Sequence, residues 1–121
     1  MVIYKMTDAE KQLADIIWEN EPLGSGRLVT LAAQHMNWKK STTYTVLKKL
    51  CENDIFQNQG SIVSSKISVD EYTRLLGEDY LEQNYGGSLP GFVAAFIRKK
   101  KISKSEIEQL ERMIAEYKET E

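Results

Sequence analysis

The sequence predicts a mainly α fold: three short helices and a small β-hairpin, followed by a module of three more helices. Three observations predict it. Thr7, Ser68 and Ser103 each stand three residues before a glutamate and just ahead of an apolar run of helical period, the signature of a capping-box helix start. Residues 55–67 break that period and read as two short strand candidates, 55–59 and 62–67, around Gly60. Pro22 and the pair Gly86-Gly87 stop helical runs at the places where one element must hand over to the next.

Each element follows in order. Thr7-Asp8-Ala9-Glu10 opens the first helix, with Leu13, Ile16 and Ile17 on one face. Glu21-Pro22 ends it near Asn20, since the residue before a proline avoids helical angles. Ser25 is expected to cap the second helix, whose inner face holds Leu28, Leu31 and Ala32. That helix ends near Met36-Asn37, and a third begins between Lys40 and Thr42. Two short helices so closely joined suit a helix-turn-helix. Strands at 55–59 and 62–67 then make a hairpin. A helix-turn-helix followed directly by a hairpin is a winged helix. Ser68 opens a fourth helix with Tyr72, Leu75, Leu76 and Tyr80 apolar. Leu89, Phe92, Val93, Phe96 and Ile97 mark a strongly apolar fifth, which ends in the bases Arg98 to Lys101. Ser103 opens a sixth with Ile107, Leu110, Ile114 and Tyr117 on a narrow seam.

Composition sets the class. The chain has 121 residues, 41% hydrophobic and 28% charged, which fits one ordinary domain or two small lobes. No apolar run approaches the roughly 20 residues of a membrane helix. Residues 1–5 lack a signal-peptide pattern, and a cytoplasmic protein is expected. Cys51 is the one cysteine, so neither an intrachain disulfide nor a cysteine-pair zinc site is available.

Net charge is −2, but the distribution is uneven. Lys39, Lys40, Lys48 and Lys49 fall between Trp38 and Leu50 with no acid among them, whereas from Ser68 onward acids outnumber bases by 11 to 8. The third helix therefore carries a basic patch in an otherwise acidic chain. Its inward stripe is Thr43, Val46, Leu47 and Leu50. Ser41, Thr45 and Lys48 point the other way, flanked by Thr42, Tyr44 and Lys49. Hydroxyls can exchange hydrogen bonds with base edges, threonine methyls can touch thymine methyls, and lysines pair with phosphates. Lys40, Ser41, Thr42, Tyr44, Thr45, Lys48 and Lys49 are the candidate contacts to double-stranded DNA. The wing tip, Gln57-Asn58-Gln59-Gly60-Ser61, is polar and uncharged, and Lys66 is the hairpin's one base.

Chemistry finds little support. His35 is the one histidine, too few for a metal or acid-base pair. Gly87-Ser88-Leu89-Pro90-Gly91 has its second glycine one place too late for a nucleophile elbow. No phosphate-binding glycine loop occurs. Neither metal nor cofactor is expected, and no enzyme. Cys51 is expected to be a structural thiol.

The sequence resembles the penicillinase-repressor family over residues 7–117. Three stretches carry the likeness: Thr7-Asp8-Ala9-Glu10 through Ile16-Ile17-Trp18; Trp38 followed by Thr42, Thr45, Val46 and Leu50; and Tyr85-Gly86-Gly87-Ser88, Val93-Ala94-Ala95-Phe96-Ile97, then Ile102-Ser103 to Glu106-Ile107 and Leu110. The resemblance implies a homodimer that binds a palindromic operator and blocks transcription. It places Ser41, Thr42, Tyr44 and Thr45 at bases, with Lys48 and Lys49 near phosphates. In the antibiotic-resistance branch a sensor-linked protease leads to cutting of the repressor. The matching junction is Ala95-Phe96, although the family has asparagine where this chain has Ala95. The copper branch binds metal through paired C-x-C motifs, which are missing here. Asp54 replaces a common glycine, and the wing tip lacks the usual arginine.

Two domains are expected: residues 1–67, a winged helix for DNA, and 68–121, a helical dimerisation module. About 50 residues bury such apolar faces alone only with difficulty, and a second copy would cover them. Leu89, Phe92, Val93, Phe96 and Ile97 on one helix, and Ile107, Leu110, Ile114 and Tyr117 on the next, are the dimerisation candidates. The competing reading is a winged-helix module that binds another protein and no specific DNA.

Overall fold

The computed structural model describes residues 3–120, so Met1, Val2 and Glu121, which belong to the termini of the two expected domains, lie outside the described residues. The order is α1 (Asp8–Asn20), β1 (Leu23–Gly24), α2 (Ser25–Met36), α3 (Lys40–Glu52), β2 (Phe56–Gln59), β3 (Ile62–Ser65), α4 (Val69–Tyr85), α5 (Leu89–Arg98) and α6 (Lys104–Thr120). The chain divides into two compact units, one ending at Gly77 and one starting at Glu78, so that α4 contributes to both.

In the first unit, α1 to α3 and the hairpin close one core. Leu13 and Ile17 of α1, Leu28 of α2, Leu50 of α3, and Phe56 and Val63 of the strands are all sealed from solvent. Helical spacing of 3.6 residues puts the helical members on the inner faces of their helices, and strand alternation turns Phe56 and Val63 inward. Trp18 fills the space between layers: its ring lies 5.1 Å from Phe56 and 5.9 Å from Tyr72, and its Nε1–H donates to the Ile67 carbonyl at 3.1 Å. Tyr72, 1% exposed, donates to the Tyr4 carbonyl at 2.8 Å and accepts from the Met6 amide at 3.0 Å. The start of α4 is thereby tied to the segment preceding α1.

The hairpin is part of a three-stranded antiparallel sheet, ordered β1-β3-β2. β1 pairs Leu23 with Val63 and Gly24 with Ile62. The sequence did not reveal this strand, because two residues cannot show a period. Strand β1 also changes the start of α2. Its pairing delivers the Ser25 amide to the Ser61 carbonyl at 2.8 Å, which makes Gly24 the N-cap and Ser25 the first, buried residue of the helix. Ser25 therefore does not cap; its Oγ accepts from the Tyr44 hydroxyl at 3.1 Å. The strands are shorter than expected. Ile67, expected to end the second, instead offers its carbonyl to Trp18.

The capping box at α1 is extended by an aromatic residue. Thr7 and Glu10 bond reciprocally, at 3.2 Å from the Glu10 amide and 2.8 Å from the Thr7 amide. The Tyr4 hydroxyl also donates to both carboxylate oxygens, at 2.8 and 2.6 Å. Burial alone would raise the Glu10 carboxyl, but the bonds from Thr7 and Tyr4, helped by the Lys49 charge, hold it below the usual range. The same carboxylate, as hydrogen-bond partner, pushes Tyr4 up to about 12.

A pH-dependent contribution follows. Glu10 is depressed, so its stabilisation is complete above the free-carboxylate value of 4.5 and is lost as pH falls below it. Glu10→Gln keeps the box but removes the charge, and should cost about 1 kcal/mol at neutral pH. The difference from the parent should shrink toward zero in denaturant melts run at progressively lower pH. A constant difference would show that the charge is irrelevant.

Candidate functional site

Burial of Thr43, Leu47 and Leu50 fixes the roll of α3 about its axis. Ser41, Thr42, Thr45, Lys48 and Lys49 are consequently exposed, as are Lys39 and Lys40 at the helix start. Along that outer face Ser41, Thr45 and Lys48 succeed one another at spacings of four and three, so they form one stripe. Thr45 Oγ1 donates back to the Ser41 carbonyl at 2.9 Å. Its hydroxyl proton is thus engaged, and the face it offers is an acceptor lone pair beside a methyl. Such a group suits an exocyclic base amine or a thymine methyl.

The two flanks differ. Tyr44 is half-buried and its hydroxyl is spent on Ser25 of α2. On the other side, Lys49 lies near enough to Glu10 of α1 for its charge to lower that carboxyl. Of the residues expected at DNA, Lys40, Ser41, Thr42, Thr45, Lys48 and Lys49 are exposed, whereas the Tyr44 hydroxyl is engaged by α2. Sequence reasoning passed over Arg27, an exposed cation two residues beyond Ser25. Its sequence signal is a single base in the opening turn of the second helix, weaker than the clustered lysines of the third.

The wing turns on Gly60 and Ser61, both at positive φ (57° and 64°), between the paired residues Gln59 and Ile62. Two central residues of this hand match the twist of a tight hairpin, and glycine adopts the first without penalty. Asn58 and Gln59 are exposed. Lys66 pairs with Asp54 at 3.1 Å, which neutralises the hairpin's base. Asp54 itself has a φ of 61°, a region glycine enters freely, which gives the physical reason a glycine suits that place. Cys51 is half-buried, and burial pushes its thiol up against the opposing pull of Lys66. Among the described residues no three His, Cys, Asp or Glu side chains group as metal ligands. No helix among them is long and apolar enough to cross a membrane.

The second unit is built differently. Neither α5 nor α6 has a buried residue. Leu89, Val93, Ile97, Ile107, Leu110, Ile114 and Tyr117 line one apolar groove, joined by Pro90, Ile102 and Met113, which the sequence seam missed. Met113 was legible in principle, three residues after Leu110. Phe92 and Phe96 do not line that groove. Their rings are 4.9 Å apart, and Phe92 meets Tyr85 edge-on at 5.4 Å, so they join the end of α4 to α5. Gly86 and Gly87, both at positive φ, make the turn between these helices. The Ala95-Phe96 bond lies within α5, where a protease would have to unwind the helix to reach it.

A family model, the penicillinase repressor, matches residues 6–116. The chain belongs to the penicillinase repressor family. Members of this family are transcriptional regulators, not enzymes. The penicillinase repressor of Bacillus licheniformis is 22% identical over 120 residues, 96% of this chain and 94% of that protein. The methicillin resistance regulatory protein MecI of Staphylococcus aureus is likewise 22% identical, covering 92% of this chain and 94% of its own length. Among solved structures, the chain is similar to a solution structure of the Bacillus licheniformis BlaI monomeric form in complex with the blaP half-operator. That match has a TM-score of 0.50 at 19% identity, over 59% of this chain and 92% of the other. It supports the winged-helix fold.

The division of labour on α3 is testable through Tyr44. Tyr44→Phe removes its donation to Ser25 and should lower unfolding free energy by about 0.5–1.5 kcal/mol in chemical denaturation. An unchanged stability would show that the hydroxyl is not engaged in solution.

Proposed function

We propose that this family member is a homodimeric repressor that binds a palindromic operator in double-stranded DNA. The observation that carries the reading is the outer stripe of α3, hydroxyls and lysines without a carboxylate, held rigid by a sealed core. One α3 per copy enters a major groove, with half-sites about one helical turn apart. Thr45, Ser41 and Thr42 read base edges, while Lys40 and Lys48 pair with phosphates and Lys49 contributes from the flank. The similar solution structure of BlaI, a monomeric form in complex with the blaP half-operator, supports the DNA-binding part of this reading. The wing adds hydrogen bonds from Asn58 and Gln59 and little net charge, since Lys66 is already paired. A cytoplasmic location is part of the same proposal.

The second copy is proposed to cover the α5–α6 groove. Met113, Tyr117 and Leu89 are each more than half exposed in the isolated chain, at 63%, 64% and 58%. Exposed apolar surface of this kind marks an interaction face. A two-fold axis lets one apolar surface cover its twin.

Fluorescence anisotropy on DNA from upstream of its own gene, with excess nonspecific competitor, tests the assignment. Lys48→Ala should weaken binding to every sequence alike and reduce the salt slope by about 0.9. Thr45→Ala should instead flatten the preference among bases at one position in each half-site, by about 0.5–1.5 kcal/mol, the net worth of one hydrogen bond. Loss of neither would remove α3 from the interface, and binding to protein alone would favour the scaffold reading. In sedimentation velocity, Leu110→Glu should convert a dimer to a monomer; a parent that sediments as a monomer would refute the pairing.

A further inference from the structure

The α5–α6 turn holds Arg98, Lys99, Lys100, Lys101 and Lys104, with no acid between residues 97 and 105. This is a denser run of positive charge than that on α3. All five are exposed, and none forms an ion pair among the described residues. None lines the apolar groove, so a second copy seated there need not cover them.

Helix stability explains only part of the run. Arg98, in the last turn of α5, is well placed against the negative end of the helix dipole. Lys99, the cap, and Lys100 and Lys101 follow within one turn of the same end, where each exposed cation adds only a small, salt-screened stabilisation. Lys104 stands at the first residue of α6, at the positive end of that helix, where a cation is repelled. Lys100 takes a left-handed conformation, φ 55°, at the position after the α5 cap where glycine is preferred. The amides of Lys100 and Lys101 close the turn by donating to Ile97 and Phe96, at 3.0 and 2.9 Å. These bonds fix the backbone and leave the ammonium groups exposed. Local charge and backbone preference are both set aside here, a pattern expected of sites kept for function.

We infer that the α5–α6 turn is a second contact surface for the phosphate backbone of double-stranded DNA. Its chemistry differs from that of α3. Ser103 is committed to a reciprocal box with Glu106, at 3.1 Å in each direction. The turn therefore presents ammonium and guanidinium groups with no hydroxyl stripe for base edges. It supplies affinity that rises as salt falls and is indifferent to sequence. The inference rests on the DNA-binding reading above, but not on operator choice or on the dimer.

The experiment compares full-length parent with a variant carrying Lys99→Gln, Lys100→Asn, Lys101→Gln and Lys104→Gln. Asparagine is used at 100 because it tolerates the left-handed backbone. Binding to a duplex of random sequence is measured by anisotropy across a salt series, with Lys48→Gln as the α3 comparison and circular dichroism as the folding check. The variant should keep its helical signal and lose steepness in log K against log salt, by about 0.9 for each phosphate contact removed. Its ratio of operator to random binding should stay within about twofold of the parent, since phosphate contacts carry no sequence information. An unchanged slope with Lys48→Gln still effective would overturn the inference and leave α3 as the DNA surface. If the parent itself does not bind duplex, the DNA reading falls and this inference with it. Vesicles of equal phosphatidylserine and phosphatidylcholine form a second arm. Capture of the parent but not the variant by vesicles, beside an unchanged duplex slope, would assign the turn to anionic lipid instead.

Discussion

The structure of the first unit depends on one constraint: α3 must bury Thr43, Leu47 and Leu50 together. A helix has a fixed angular relation between its residues, so burying one stripe sets the direction of every other side chain. The core that receives the stripe is made by α1, α2 and the strands, and it is sealed. Ser41, Thr45 and Lys48 are exposed because Leu47 and Leu50 are not. Positioning of the surface is thus inherited from packing, and interiors packed at crystal-like density hold such positions firmly.

Polar bonds refine what packing sets. Tyr44 to Ser25 ties α3 to the start of α2, and the Ser25 amide to Ser61 ties that start to the hairpin turn. Lys49 serves as both a surface cation and an electrostatic partner of Glu10. The cap of α1, the flank of α3 and the segment before Thr7 therefore share charges and hydrogen bonds. Buried or half-buried bonds of this kind contribute modestly as sums but are costly to leave unmade.

The second unit has the opposite character. Its helices expose apolar residues along a groove, while Phe92 and Phe96 hold the turn from α4 with edge-on aromatic contacts. A stretch of this size seals little of its own surface, since surface grows relative to volume as chains shorten. The aromatic pair shows how one periodic list, read from sequence as a single face, serves two purposes on two sides of a helix.

Most of the helical order was legible in the residues themselves. Capping boxes at Thr7 and Ser103 form as their side-chain chemistry dictates. Glu21-Pro22 and Gly86-Gly87 end helices because proline and glycine act through local backbone geometry. The buried stripe of α3 followed from period alone. Tertiary structure decided the rest, where partners distant in sequence compete for the same group. It made β1 a strand, took Ser25 from capping to accepting from Tyr44 and separated Phe92 from the groove. Local rules set which residues share a face; only the fold sets what that face meets.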